Sequence, residues 1–322
     1  MRLLPALLLS PFTGQPNTLR APPVQAPSGP APFGRLGSRA VVGLVAGLTM
    51  GVLTASTAAD DRHDWFDPAW WADGQLPVPP NFQVTSTTEN LATAEADIPI
   101  YIARPGVEGD FPGVVFVHGR RGVDPLAQAH VRRLAARGFV VYAPDLYIGR
   151  FIEAMPIEHD YALESDLNEV LDHVLAMGLH AGDRICLYSH TRGGYKALKV
   201  AVSFDRQADA VACFVSYYPH LQDPNAPEPM QVYRYATEAD ALRIPALIFV
   251  GEHEQYQRKR GIDTAVASMQ GSGRPVQLVT YPGVGRGFDF RDPPVRTFAD
   301  DLATRDAILR ATGFMNAYLK AD

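Results

Sequence analysis

Leu187-Tyr188-Ser189-His190-Thr191-Arg192-Gly193-Gly194 is the stretch on which the reading of this chain turns. It follows a short apolar run, Arg184-Ile185-Cys186-Leu187-Tyr188, and leads into a helical-looking segment over 195–204. A strand that breaks sharply into a helix through small residues lifts the residue at the turn onto an exposed tip beside the helix N-terminal amides. Where such an elbow carries a nucleophile, its spelling is G-x-S-x-G. Here Ser189 takes the first glycine's place, Gly193 keeps the second, and Thr191 stands at the nucleophile's position.

Outward from the elbow, strand and helix patterns alternate. Residues 82–86 and 98–103 read as two early strands, and Gly113-Val114-Val115-Phe116-Val117-His118 is an unbroken apolar run of the kind covered on both faces. Asp124-Pro125 predicts a helix start, with Asp as N-cap and Pro at the first helical position, and Gly138 ends that helix. A strand follows over 139–144. Leu163, Leu167, Val170, Leu171, Val174 and Leu175 recur at three- and four-residue spacing, which predicts a core-facing helix over 161–177. Strands over 210–217, 246–250 and 276–281 come after the elbow, with a proline-rich loop near 219–229. A closing helix over 301–320 places Leu302, Ile308, Ala311, Met315 and Tyr318 inward. This alternation predicts an α/β fold, a mostly parallel central sheet with helices on both faces.

The chain has 322 residues, 29 basic and 35 acidic. Four arginines and no acidic residue lie in the first 59, so the remainder carries 25 basic against 35 acidic residues, a formal charge of −10. Nucleic-acid binding needs a basic footprint, so no nucleic-acid partner is expected. Cys186 and Cys213 lie in separate apolar runs without metal-ligand spacing, and two buried thiols are expected rather than a disulfide. Residues 1–38 are rich in proline and small residues and are expected to be disordered or absent from the mature protein, translation starting instead near Val24 or Leu36. Residues 39–59 hold Arg39, a 14-residue apolar run and a small-residue region, which read as a secretory signal. The run is short for a stable membrane span, so the protein is expected to be exported, periplasmic or secreted, with an uncleaved anchor as the alternative. Residues 60–81 contain Trp65, Trp70 and Trp71 and read as an aromatic N-terminal arm packed on a domain over 82–322.

Six marks then fall in order along residues 82–320: Ile102-Ala103-Arg104-Pro105, Val115-Phe116-Val117-His118-Gly119, Tyr142-Ala143-Pro144-Asp145-Leu146-Tyr147, the elbow, Phe249-Val250-Gly251-Glu252-His253-Glu254, and Tyr281-Pro282-Gly283-Val284-Gly285-Arg286-Gly287-Phe288. On these the chain resembles the dienelactone hydrolase branch of the α/β-hydrolases. The resemblance implies an α/β-hydrolase fold and hydrolysis of an ester or lactone. It also implies a Ser or Cys nucleophile, an Asp and a His at positions that here hold Thr191, Glu254 and Arg286. Glu for Asp is a mild change. Thr at a strained elbow costs on the order of 1–3 kcal/mol and its methyl group crowds an attack trajectory. Arg for His is the severe one, because a guanidinium cannot accept a proton near neutral pH. Arg286 is expected to form a bidentate pair with Glu254 or to face a ligand. His118, His190 and His253 are the alternative bases, each otherwise a structural histidine. A metal site built from those three has no support in their spacing, and no metal is expected.

Ligands in this fold bind outside the carboxyl ends of the strands. Arg120 and Arg121 after the third strand, Arg192 on the elbow and Arg286 all belong to loops that reach there. With the elbow helix amides, Gly119 and Arg120 would frame an oxyanion or anion site. A carboxylate-bearing or otherwise anionic small molecule is therefore the expected substrate or ligand. No Gly-rich phosphate loop follows the first strands, so no nucleotide or other cofactor is expected. Two functions remain open: hydrolysis by Thr191 with an unrecognised base, and a non-catalytic pseudo-hydrolase that binds an anion. Oligomeric state leaves no mark in the sequence.

Overall fold

Residues 79–157, 162–223, 226–231 and 233–319 are described in a computed structural model. In chain order the elements are β1 (Val84–Ala92), β2 (Asp97–Pro105), β3 (Pro112–Val117), α1 (Pro125–Ala135), β4 (Val140–Pro144), α2 (Ala162–Ala176), β5 (Ala181–His190), α3 (Arg192–Val202), β6 (Val211–Tyr217), α4 (Glu238–Ala241), β7 (Ala246–His253), α5 (Tyr256–Gly271), β8 (Val276–Gly285) and α6 (Phe298–Leu319). The strands form one sheet in the order β1-β2-β4-β3-β5-β6-β7-β8. From β4 across to β8 every pairing is parallel, while β2 runs antiparallel to both β1 and β4. The mostly parallel sheet anticipated from the alternation is the one found.

The unbroken apolar runs become β3, β4 and β6, buried along their whole length. Each face of the sheet has its own core. One gathers Leu167 and Leu171 of α2, Leu198 of α3 and Ile262 of α5; the other gathers Val131 of α1 with Ile308 and Met315 of α6. Parallel strands need crossovers, and α1, α2, α3 and α5 are crossovers; with the C-terminal α6 they cover both faces. α1 starts as the sequence predicts, with Pro125 in its first turn and Asp124 Oδ1 accepting from the Ala127 N–H at 2.9 Å.

Two expectations are corrected. In α6 the inward face is Ala303, Ala307, Ile308, Ala311 and Met315, whereas Leu302 and Tyr318 are 51% and 43% exposed. Alanines bring a helix close to a sheet, and large side chains at the flanks are left outside. Cys186 and Cys213 are joined in a disulfide, with Cα atoms 4.7 Å apart. Their positions are directly paired across β5 and β6, and both side chains belong to the same core. Residues 1–38, the signal-like segment 39–59 and the tryptophans of the arm lie outside the described residues. Among the described residues, no helix is long and apolar enough to cross a membrane.

Candidate functional site

Thr191 sits between the last residue of β5 and the first of α3, with φ 51° and ψ −117°. A β-branched residue held in this sparsely populated region stores strain on the order of 1–3 kcal/mol, so the surroundings must fix it. They do so through the backbone. The Thr191 N–H donates to Tyr217 O at 3.1 Å, and Thr191 O accepts from the N–H groups of Gly194 at 3.0 Å and His220 at 2.9 Å. Two glycines make the close approach possible. A Cβ on Gly193 would fall onto the Val117 carbonyl oxygen, and one on Gly119 would collide with Thr191 Oγ1. Ser189, in place of the elbow's first glycine, is fully buried and tolerated because its Oγ finds Ser216 Oγ on β6 at 2.7 Å.

Thr191, Glu254 and Arg286, the residues that the resemblance singles out, make a different constellation from a proton relay. Thr191 Oγ1 is buried and has no hydrogen-bond partner among the described residues. Glu254, following β7, is buried; its Oε1 accepts from Arg286 Nη1 at 3.0 Å and from the Gln255 N–H at 2.9 Å. Arg286, just past β8, also lies over the Tyr218 ring, 5.4 Å from its centre. The expected pair between Arg286 and Glu254 forms through one N–H rather than two. Its remaining donors are available to a ligand or to solvent at a side chain 23% exposed.

A cavity of about 240 Å³ opens at the elbow. Gly119, Arg120, Arg121, Arg192 and Arg286 all line it, joined by Arg258 from the first turn of α5. The arginines are held by neutral partners as much as by acids. Arg120 donates to the carbonyls of Pro156 at 2.9 Å and Met155 at 2.6 Å, Arg192 to that of Ile157, and Arg258 to Gln222 Oε1. Arg121 pairs with Asp124 at 2.5 Å. Five guanidiniums thus face Asp124 in the wall and Glu254 behind it. Burial, then the charges of Arg286 and Arg192, pull the Arg258 pKa down to about 10. Burial also lowers that of Arg192. Crowded, partly desolvated cations favour an anion among them.

The three histidines proposed as alternative bases separate cleanly. His118 uses both ring nitrogens: Nδ1 lies 2.7 Å from Gly119 O, and Nε2 accepts from the Leu146 N–H at 3.1 Å. Burial, then the charge of Lys196, lowers its pKa to about 4, so it is a neutral structural post. His253 is exposed and is not part of the cavity wall. His190 lines the cavity, with Nε2 2.7 Å from Asp289 Oδ2 and Nδ1 buried without a partner among the described residues.

Asp289 is the centre of a buried network that sequence reasoning missed. It accepts from Tyr218 OH at 2.5 Å and lies 3.4 Å from His130 Nδ1, while His130 Nε2 lies 2.7 Å from Tyr188 OH. Burial pushes the carboxyl up, but the charge and hydrogen bond of His190, the His130 charge and the Tyr218 hydroxyl outweigh it and hold it at about 2. Ligand-type atoms of His130, His190 and Asp289 lie within 4.8 Å of one another. Arg133 Nη2 is 3.4 Å from His130 Nδ1, a fixed positive charge that would repel a cation held there. The cluster fits a carboxylate shared by two imidazoles better than a metal centre.

Arg258 and His220 also line the cavity and were not anticipated. His220 follows β6 at the carboxyl end of the sheet, where the binding rule for such sheets could have found it. Arg258 belongs to α5, whose weak apolar periodicity left it unpredicted.

The sequence model of the dienelactone hydrolase family matches residues 98–319. A provisional carboxymethylenebutenolidase of Salmonella typhimurium is 23% identical over 228 residues, covering 65% of this chain and 80% of that protein. One from Methylorubrum extorquens is 25% identical over 212 residues, covering 60% and 69%. Among solved structures, a bacterial brefeldin A esterase aligns with TM-score 0.59 at 18% identity, over 76% of this chain and 80% of its own. A dienelactone hydrolase-like promiscuous phosphotriesterase from metagenomic libraries aligns with TM-score 0.57 at 15% identity, over 74% and 99%. At these identities the structural likeness speaks for the fold.

Proposed function

The chain belongs to the dienelactone hydrolase family, and from that premise we propose that it is an exported member that binds an anionic small molecule without running the family's triad hydrolysis. One observation carries the reading. Arg286, which the family resemblance aligns with the general base, is a guanidinium bonded to Glu254, and Thr191 Oγ1 has no hydrogen-bond partner among the described residues. A threonine hydroxyl without a base is a feeble nucleophile. The same substitution adds a cation to a cavity already walled by four other arginines, which favours a carboxylate there. The secretory signal read in residues 39–59 supports export, as does the Cys186–Cys213 disulfide, a bond that persists in oxidising compartments.

A second reading keeps family-level hydrolysis of an ester or lactone with Thr191 as nucleophile. What favours it is His220, on the cavity wall with Thr191 and tied to it through the backbone. Titration with acetate at pH 7 tests the first reading: stabilisation of the wild type that weakens in Arg258→Gln is expected. An acetate response unchanged by that substitution would count against an arginine pocket. Turnover of p-nitrophenyl acetate and of a lactone panel, with and without Thr191→Ala, separates the two.

A further inference from the structure

We propose that the ligand of the cavity is an aromatic carboxylate, its ring held at the inner wall and its carboxylate among the arginines. This rests on the anionic-ligand reading above and names the class of anion. The cavity is graded from inside to outside. Phe116, Ala127 and His190 of its wall are buried, Arg258, Arg286 and Phe290 are half-buried, and Arg121 and Met155 are exposed at the mouth. Cations therefore stand at the middle and rim, the Phe116 and His190 rings at the inner end, and the Phe290 ring between them. The rings already touch at tilted angles: the His190 ring centre is 4.5 Å from that of Phe290 and 5.2 Å from that of Phe116, with interplanar angles of 56° and 48°.

A flat ring fits such a wall for two reasons. Aromatic pairs gain from offset or edge-to-face contact at these separations, beyond the area they bury. Guanidiniums also rest on aromatic faces, as Arg286 does on Tyr218, so a ring passing between them meets favourable contacts along its length. Size agrees. A cavity of about 150 Å³ takes a benzene molecule, and here about 240 Å³ leaves room for a ring, a carboxylate and one or two further heavy atoms. A bare acetate would satisfy the arginines and leave the inner wall uncovered.

The test is calorimetric or ligand-observed NMR titration of the purified chain at pH 7 with benzoate, acetate and benzamide. Benzoate is expected to bind at least about tenfold more tightly than acetate, from the apolar area its ring buries. Benzamide, the neutral isostere, is expected not to bind at concentrations that saturate with benzoate. Phe290→Ala should reduce the advantage of benzoate over acetate to less than about threefold and leave acetate unchanged. Should that variant not fold, Ala127→Leu, which fills the inner end, should block benzoate and spare acetate. Equal affinity for benzoate and acetate would overturn the aromatic class and leave the anion pocket standing. Equal affinity for benzoate and benzamide would overturn the anionic reading itself, and no binding by any of the three would overturn both.

Discussion

Arg286 is where one residue decides the proposed chemistry. The family resemblance aligns it with a proton acceptor, its side chain cannot accept a proton, and its N–H is committed to Glu254 Oε1 at 3.0 Å. Because the Glu254 side chain is fully buried, removing the guanidinium would strand a carboxylate. Arg286→Ala should therefore lower stability by about 3 kcal/mol in urea denaturation, and adding Glu254→Gln should recover most of that loss. A loss below about 1 kcal/mol would mean that the pair does not hold this corner of the site. The pairing was legible in the sequence, since motif positions alone placed the two residues together. The link between His190 and Asp289 was not, because a contact spanning 99 residues leaves no local spacing to read.

At the scale of elements, the elbow is held by close backbone approach, and at Gly193 a Cβ would meet another segment's backbone most closely. Its first-turn position on α3 puts the missing Cβ against the carbonyl of Val117 at the end of β3. Gly193→Ala should cost about 3 kcal/mol, and it should disturb the cavity because the shifted loop carries Gly119 and Arg120. Wild-type stability and unchanged acetate binding in that variant would contradict this packing. The strands and the start of α1 were readable because apolar runs and the Asp124-Pro125 cap are local signals. The inward face of α6 was misread because its contacts are made by alanines, and α5 went unseen because its charged residues obscure the periodicity. With α5 went Arg258.

For the whole molecule, the buried histidines set the response to acid. His118 has a pKa of about 4 in the folded protein against 6.5 unfolded, so the unfolded chain takes up a proton that the folded one refuses. Stability is then full above about pH 6.5 and falls as pH drops toward 4, by on the order of 3 kcal/mol. The buried His130 acts in the same direction, and Asp289, held at about 2, adds a loss only below about pH 3.8. Urea denaturation at pH 7, 5.5 and 4.5 checks this, and a flat profile would contradict it. The fold class was legible from end to end because six short motifs keep their order along the sheet. The disulfide was not, since it depends on a strand register that no sequence pattern states. The central proposal, that this member of the family binds an anion and does not run triad hydrolysis, is tested most directly by the turnover of p-nitrophenyl acetate by wild type and by Thr191→Ala. Equal rates in the two proteins, at the level of uncatalysed hydrolysis, are predicted. Saturable wild-type turnover abolished by Thr191→Ala would contradict the account.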